Sequence, residues 1–183
     1  WLQVEIAAAE AMADAGIAVP RGILCASADE AARAAKALGS CVIKAQAPTG
    51  KRGKAGGIKL AATVDDARAA AQAILGMAIG GHRVERVLVE EQAPIARELY
   101  AAVLNDPASR GPLVLFSMAG GMDIEEIAAT RPDALRRLPV DIEAGLGATQ
   151  ARLLVDGLGP AAKAAADTLV ALYGLYRRHD AEL

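Results

Sequence analysis

Aromatic side chains are nearly missing from this 183-residue chain: one Phe, one Trp and three Tyr make up 3% of it, although 54% of its residues are hydrophobic. The apolar share comes from short side chains instead, with Ala alone supplying roughly a quarter of the sequence, which favours helices packed at close approach over a core of large rings. Cysteine is scarce as well. Cys25 and Cys41 lie in apolar stretches without CxxC spacing, so the chain is no disulfide-stapled scaffold and both are expected to be buried free thiols. His82 and His179 lie far apart and follow no metal-ligand spacing, so surface or loop positions are expected for both and no metal site is assigned. No apolar run reaches the roughly 20 residues that a bilayer span needs, and no basic-then-apolar leader opens the chain. A membrane is therefore not expected as a partner, and the cytoplasm is the expected compartment. Charge of one sign is also lacking: 20 Lys and Arg stand against 22 Asp and Glu, for a formal net charge of -2, which removes the electrostatic ground for nucleic-acid binding. Trp1 rather than Met opens the chain and Leu183 follows closely on a helical pattern, so both ends look cut.

What is present suffices for a sizeable core, because a chain of this length buries about 70% of the surface its unfolded form exposes. Apolar residues recur at helical spacing over 2–15 with Gly16 as a stop, and the stretch 22–26 is short and apolar, so a helix and then a strand are expected. Ser27-Ala-Asp-Glu30 reads as a capping box for an Ala-rich helix to about Leu38, and Thr63-Val-Asp-Asp66 caps another to about Leu75. Strands are expected at 41–44, 57–61, 86–90, 98–104 and 112–117, the last two joined by the turn residues of Asp106-Pro-Ala-Ser-Arg-Gly111 into an antiparallel hairpin. A short helix starts near Asp123, and a long one runs from Pro160 to about Tyr176. Helices and strands alternate without an internal repeat, which gives an α/β or α+β class with mixed sheets.

The chemistry concentrates in Lys44-Ala-Gln-Ala-Pro-Thr-Gly-Lys-Arg-Gly-Lys-Ala-Gly-Gly-Ile-Lys59, which holds five basic side chains and four glycines between two strands. Glycines let a backbone approach an anion and aim N–H groups at it, while Lys and Arg neutralise its charge; polyphosphate fits both. A Gly-rich hairpin tip with Lys is also an ordinary soluble turn. Neither a Walker P-loop nor a GxGxxG register can be laid on the segment.

The pattern Lys44-x-Gln-x-x-x-Gly-x-Arg-Gly-Lys-Ala-Gly-Gly57 resembles the phosphate-covering hairpin of the ATP-grasp domain in the β subunit of succinate-CoA ligase and related nucleoside-diphosphate-forming acyl-CoA synthetases. The similarity extends to Leu-Val-Glu90, to Ile95-Ala-Arg-Glu-Leu-Tyr100 and to Ser117-Met-Ala-Gly-Gly-Met-Asp-Ile-Glu-Glu-Ile-Ala128, in the family's order over nearly the whole chain. It implies an ATP-grasp fold of two subdomains, 1–95 and 96–183, gripping a nucleotide. ATP or GTP is the implied substrate, with Mg²⁺ expected in the complete protein. The implied partner is an α-type CoA-binding subunit or domain, whose histidine takes the phosphoryl group and passes it to a small carboxylic acid that CoA then attacks. The isolated segment is not expected to turn over.

By position, Lys44 would touch the nucleotide phosphates, and Lys51, Arg52 and Gly53 would form a mobile lid over them. Glu90 falls on a hinge strand whose backbone reads the base, Ala93 would add a backbone contact, and Glu98 would accept hydrogen bonds from the ribose hydroxyls. Gly120, Gly121 and Glu125 match a Gly-Gly turn and acidic helix that border the site. No catalytic residue is assigned. Taken as residues alone, Glu98 also fits an ordinary hairpin charge, Glu90 a strand-end charge and Lys44 a snorkelling strand lysine. The chain departs from the family at Pro48 and Lys51, where His and Gly are usual, at Ala119, where an acidic residue commonly precedes the Gly pair, and at Asp106-Pro107, where Asp-Arg is usual. Leu183 stops short of the family's metal-binding strand. Two alternatives stay open: a malate- or citrate-CoA ligase, and a nucleotide-binding or interaction module without turnover.

Overall fold

The computed structural model of the chain describes residues 4–50, 52–121 and 124–180. The chain divides into two compact units, Trp1–Glu10 with Ala18–Pro94, and Ala11–Ile17 with Ile95–Leu183. It opens with α1 (Val4–Asp14), which ends at Gly16 with φ +79°, a left-handed turn that glycine takes without steric cost.

The first unit carries β1 (Gly22–Cys25), α2 (Ala28–Leu38), β2 (Cys41–Gln46), β3 (Ile58–Ala61), α3 (Val64–Ile74), the two-residue strands β4 (Ala78–Ile79) and β5 (His82–Arg83), and β6 (Arg86–Glu91). Both predicted helix starts are capped by the expected residues. Ser27 Oγ accepts from Glu30 N at 3.2 Å, and the Glu30 carboxylate accepts from Ala26 N at 2.7 Å. Thr63 and Asp66 exchange hydrogen bonds at 3.1 and 3.0 Å, a reciprocal box that satisfies two amides the helix itself leaves unpaired. Helices α2 and α3 cover one face of a four-stranded sheet ordered β1-β6-β2-β3. The helix faces turned inward are alanine, Ala31, Ala34 and Ala35 on α2 and Ala67, Ala70 and Ala71 on α3, packed with Ile43, Val87 and Val89 in one cluster. The abundance of Ala and the scarcity of rings in the sequence are thus used here as a thin helix layer.

The expectation of mixed sheets is corrected. Every strand pair among the described residues is antiparallel. β1 and β2 are joined through α2 and run in the same direction, but β6 inserts between them antiparallel to both, so the helical crossover produces no parallel neighbours.

The second unit holds β7 (Tyr100–Asp106), β8 (Gly111–Ser117), α4 (Ile124–Thr130), β9 (Leu135–Pro139), α5 (Ala148–Leu154) and α6 (Ala162–His179). Its sheet is ordered β7-β8-β9. One face, with Val103, Val114 and Phe116, packs on α5 and α6; the other, with Ala102, Leu113 and Leu115, meets Ile124 of α4. The β7–β8 turn forms as its residues predict: the Asp106 carboxylate accepts from Ser109 N at 3.0 Å, and the Ser109 hydroxyl and amide together hold its pKa below the usual carboxylate range. The first strand of this hairpin starts at Tyr100, two residues later than the pattern suggests, because its register begins with Tyr100 opposite Ser117. Tyr176 Oη donates to Asn105 Oδ1 at 2.6 Å and ties α6 to β7.

Cys25 and Cys41 are buried free thiols, and His82 and His179 are exposed, as expected. Burial, with the Glu30 carboxylate adding to it, pushes the Cys25 thiol up to about 11. A thiol held protonated in the folded state contributes its full stability below the unfolded pKa near 9, and loses it as pH rises towards 11. Native protein at pH 8 is accordingly expected to leave both thiols unlabelled by Ellman's reagent over minutes and to expose both in urea. Rapid labelling without denaturant would contradict this burial. No helix among the described residues is long and apolar enough to cross a membrane.

Candidate functional site

Alternation along β2 decides where Lys44 stands. Cys41, Ile43 and Ala45 point into the helix-covered cluster, so Val42 and Lys44 occupy the other face of the sheet. On β6, Val87 and Val89 share the helix face, which leaves Leu88 and Glu90 beside Lys44. In register, Lys44 lies opposite Leu88 and Val42 opposite Glu90, so Lys44 and Glu90 are diagonal neighbours within reach of a long side chain. Their side chains meet with Nζ to Oε1 at 2.5 Å and are only 23% and 18% exposed. Partial burial makes this pair more consequential than a surface one.

The glycine-rich segment leaves the end of β2 and returns as β3. Its root is closed by backbone bonds, Ala45 N to Gly57 O at 2.7 Å and Gly57 N to Arg52 O at 2.9 Å. Arg52 folds back so that Nη1 donates to the Ala45 carbonyl at 2.9 Å. Gly53 lies in the exposed turn, and Gly56, at φ +79°, is followed by the buried Gly57. A Cβ at Gly57 would sit 2.7 Å from Ile79 Cδ1 and 3.0 Å from both Ala45 Cβ and Arg52 O, so this position accepts no side chain without rebuilding the root. Lys51 lies outside the described residues.

Sequence reasoning missed what stands beside this loop. β4 and β5 form a minimal hairpin turned by Gly80-Gly81, both at positive φ. Gly80 approaches Thr49 so closely that a Cβ there would lie 2.7 Å from Oγ1, and Ile79 abuts Gly57. The Gly-Gly pair is a recognised two-residue hairpin signal, but strands of two residues carry no readable alternation.

β6 ends at Glu91, whose carboxylate accepts from Arg21 N at 3.0 Å and from Nε at 2.7 Å. The Arg21 amide, then its guanidinium, hold Glu91 below the usual carboxylate range. Glu90 is paired in register on both sides, with Gly22 and Val42, whereas Ala93 follows the strand in an exposed segment outside any helix or strand. Glu98 is exposed and precedes β7; Gly120 N donates to its carbonyl at 3.1 Å, extending the β7–β8 pairing by one bond. Gly120 and Gly121 both lie against Glu98. The side chain of Glu125 lies outside what the structure describes. The first unit thus pairs Lys44 with Glu90 on the sheet face away from its helices and sets Arg52 at the root of the glycine-rich loop, and the second places Glu98 on its Gly-Gly turn.

Comparison with known proteins bears on the family and the fold of the chain. The family model described as ATP-grasp domain matches residues 3–183. The succinate–CoA ligase [ADP-forming] subunit beta of Rubrobacter xylanophilus is 45% identical over 172 residues, and the match covers 92% of this chain and 45% of that protein. The GDP-forming subunit beta of Thermus thermophilus is 43% identical over 182 residues, covering 98% and 48%. The chain therefore spans about half the length of the curated relatives it matches. Among solved structures, the dinucleotide forming acetyl-coenzyme A synthetase 1 of Ca. Korarchaeum cryptofilum, in complex with coenzyme A, Ca-AMPCP and HgCl+, superposes with a TM-score of 0.76 at 22% identity, covering 94% of this chain and 79% of that one. ATP citrate lyase from Methanothrix soehngenii gives a TM-score of 0.66 at 23% identity, over 92% of this chain and 40% of that one. These two likenesses concern the fold; the family match over almost every residue shows that the chain belongs to the ATP-grasp domain family.

Proposed function

We propose that this chain is the nucleotide-binding part of a nucleoside-diphosphate-forming acid-CoA ligase of the succinate-CoA ligase kind, taking ATP or GTP as its substrate. The observation that carries the reading is the half-buried Lys44–Glu90 pair at the foot of a glycine-rich cationic loop. A cation held by one carboxylate beside backbone that can approach closely is suited to receive a polyphosphate. Lys44 and Arg52 contact the phosphates, and Lys51 and Gly53 complete the covering loop. Glu90 orients Lys44 and, with the exposed backbone near Ala93, borders the base. Glu98 accepts hydrogen bonds from the ribose hydroxyls, which a carboxylate does well because it offers two acceptor oxygens. The unit that includes Ala18–Pro94 acts as the subdomain of the phosphate loop, and the unit that includes Ile95–Leu183 as the subdomain of the ribose contact.

In the whole protein the γ-phosphoryl group passes to a histidine of a CoA-binding partner subunit or domain, and from there to a carboxylic acid. The relatives named as ligase β subunits support that reading. Phosphoryl transfer is mainly a matter of positioning and charge neutralisation, and these residues supply both. Mg²⁺ belongs to this chemistry, but among the described residues no three His, Cys, Asp or Glu side chains converge where a metal ion would sit, so no step is assigned through it.

Calorimetric titration of the chain with ATP and with GTP tests the proposal. One nucleotide is expected to bind per chain, and Glu98→Ala to weaken it by about 1.5–3 kcal/mol, the range for hydrogen bonds to a charged group. Failure of the chain to bind either nucleotide, with the folded state verified by circular dichroism, would refute it.

A further inference from the structure

We infer that Gly120 and Gly121 are positioning residues for Glu98: they mould the place its carboxylate occupies, so that ribose recognition depends on the lack of a side chain at both positions. The inference rests on the reading of Glu98 as the ribose contact and adds what holds it there.

The register of β7 and β8 closes with Tyr100 opposite Ser117. Beyond that pair the two segments are held together by the bond from Gly120 N to the Glu98 carbonyl, 3.1 Å. The approach is so close that a Cβ at Gly120 would lie 2.6 Å from both Glu98 C and Leu99 N, and 2.8 Å from Leu99 C. These are backbone atoms, which cannot swing aside as a side-chain tip can. Gly120 therefore sets the path of the backbone that carries Glu98. Gly121 acts on the side chain: a Cβ there would overlap the Glu98 carboxylate at Oε2 and lie 2.9 Å from Cδ. It also has φ +69°, a conformation that L side chains rarely adopt. The turn that delivers the two glycines is itself fixed, because Ser117 is buried and its Oγ accepts from Ala119 N at 3.1 Å.

A glycine pair that served only to let two core elements approach would meet apolar side chains. This pair meets the backbone and carboxylate of an exposed acid. A side chain at Gly121 displaces one functional group, whereas one at Gly120 displaces the backbone that carries it.

The test compares binding of ATP with that of 2′,3′-dideoxy-ATP, which lacks both ribose hydroxyls, by calorimetry on the full chain. The parent is expected to prefer ATP by about tenfold or more, the value of hydrogen bonds to a carboxylate, and Glu98→Ala to bring the ratio to about one. Gly121→Ala is expected to collapse the ratio likewise, and to add nothing in the Glu98→Ala background. Gly121→Asn carries the same Cβ with a residue that tolerates positive φ and is expected to behave alike, which separates displacement of Glu98 from backbone strain. Gly159→Ala is the control: Gly159 has φ +61° with nothing within 4 Å of its Cβ position, so the ratio is expected to stay at the parent value. If Gly121→Ala and Gly121→Asn keep the parent preference while Glu98→Ala loses it, the positioning role is overturned and the ribose contact stands. If Glu98→Ala itself keeps the preference, both fall.

Discussion

Lys44→Ala is expected to weaken ATP binding by about 1.5–3 kcal/mol, a factor of roughly 10–150 in Kd. Two effects add. The variant loses a charge-assisted contact to phosphate, and it strands the Glu90 carboxylate, only 18% exposed, beside the incoming anion. A carboxylate with its cation removed repels phosphate through a medium less polar than water, so the single substitution is expected to cost more than Lys44→Ala combined with Glu90→Ala. Partial recovery in the double variant is the distinguishing observation. Salt supplies a second check, because the parent's affinity should fall with ionic strength more steeply than that of the variant. An unchanged Kd for Lys44→Ala would move the phosphate contact elsewhere on the chain and remove the main support for the proposed site.

The largest expected effect on stability belongs to Phe116, the only phenylalanine in the sequence. It lies on β8 opposite Ala101 and Arg136 and is 2% exposed within the cluster that joins the second sheet to α5 and α6. Phe116→Ala is expected to destabilise the fold by about 3–5 kcal/mol, since the loss of buried surface is compounded by the cavity left behind. The upper part of that range applies because several neighbours in the cluster, Ala151, Ala166 and Val114 among them, are too short or too stiff to collapse into the hole. Against a typical total of about 5–15 kcal/mol this is a large fraction, and the melting temperature should drop by roughly 6–20 °C. A drop of under about 3 °C would show that the layer repacks around the vacancy.

Much of the fold could be read where one side chain determines one local bond. Ser27, Thr63 and Asp106 each cap or turn as their positions imply, since a short oxygen-bearing side chain at the right offset satisfies a particular amide whatever the rest of the chain does. β9 escaped, because Leu-Arg-Arg-Leu-Pro looks like a charged loop. Its reason to be a strand is tertiary: Arg136 crosses to the end of α5 and donates to the carbonyls of Leu154 and Asp156 at 2.6 and 2.7 Å. α5 escaped for a related reason, since its N-cap is Gly147, which has no side chain to cap with, and its end is closed by that arginine from another element. The mixed sheet was expected because the order strand–helix–strand suggests parallel neighbours; nothing local in 86–91 announces that this segment will come between the first two strands. In the candidate site, Lys44, Arg52 and the glycines stood out by composition. The hairpin pressed against their loop and the fit of Gly120-Gly121 around Glu98 did not, because a close approach between segments distant in sequence leaves no trace except a glycine whose purpose the sequence does not state.

The place of β6 in its sheet has a consequence for how the first unit is made. The strand that lies between β1 and β2 is the last of the unit to be synthesised, and its register joins Gly22 to Glu90 and Cys41 to Glu91. Until residue 91 has left the ribosome, β1 has no strand partner and β2 has only β3, so two open strand edges wait for the segment that will fill the gap. Such edges template pairing with other chains, and closing so long a loop slows the step that removes them. A nascent or truncated chain ending before Arg86 would therefore carry both capped helices and the whole glycine-rich loop, yet lack the strand that makes them one body. The short α2 and α3, marginal as isolated helices at this length, would have little to hold them. Assembly of this unit is set by the six residues of its last strand, whose arrival turns two unsatisfied edges into the middle of a sheet.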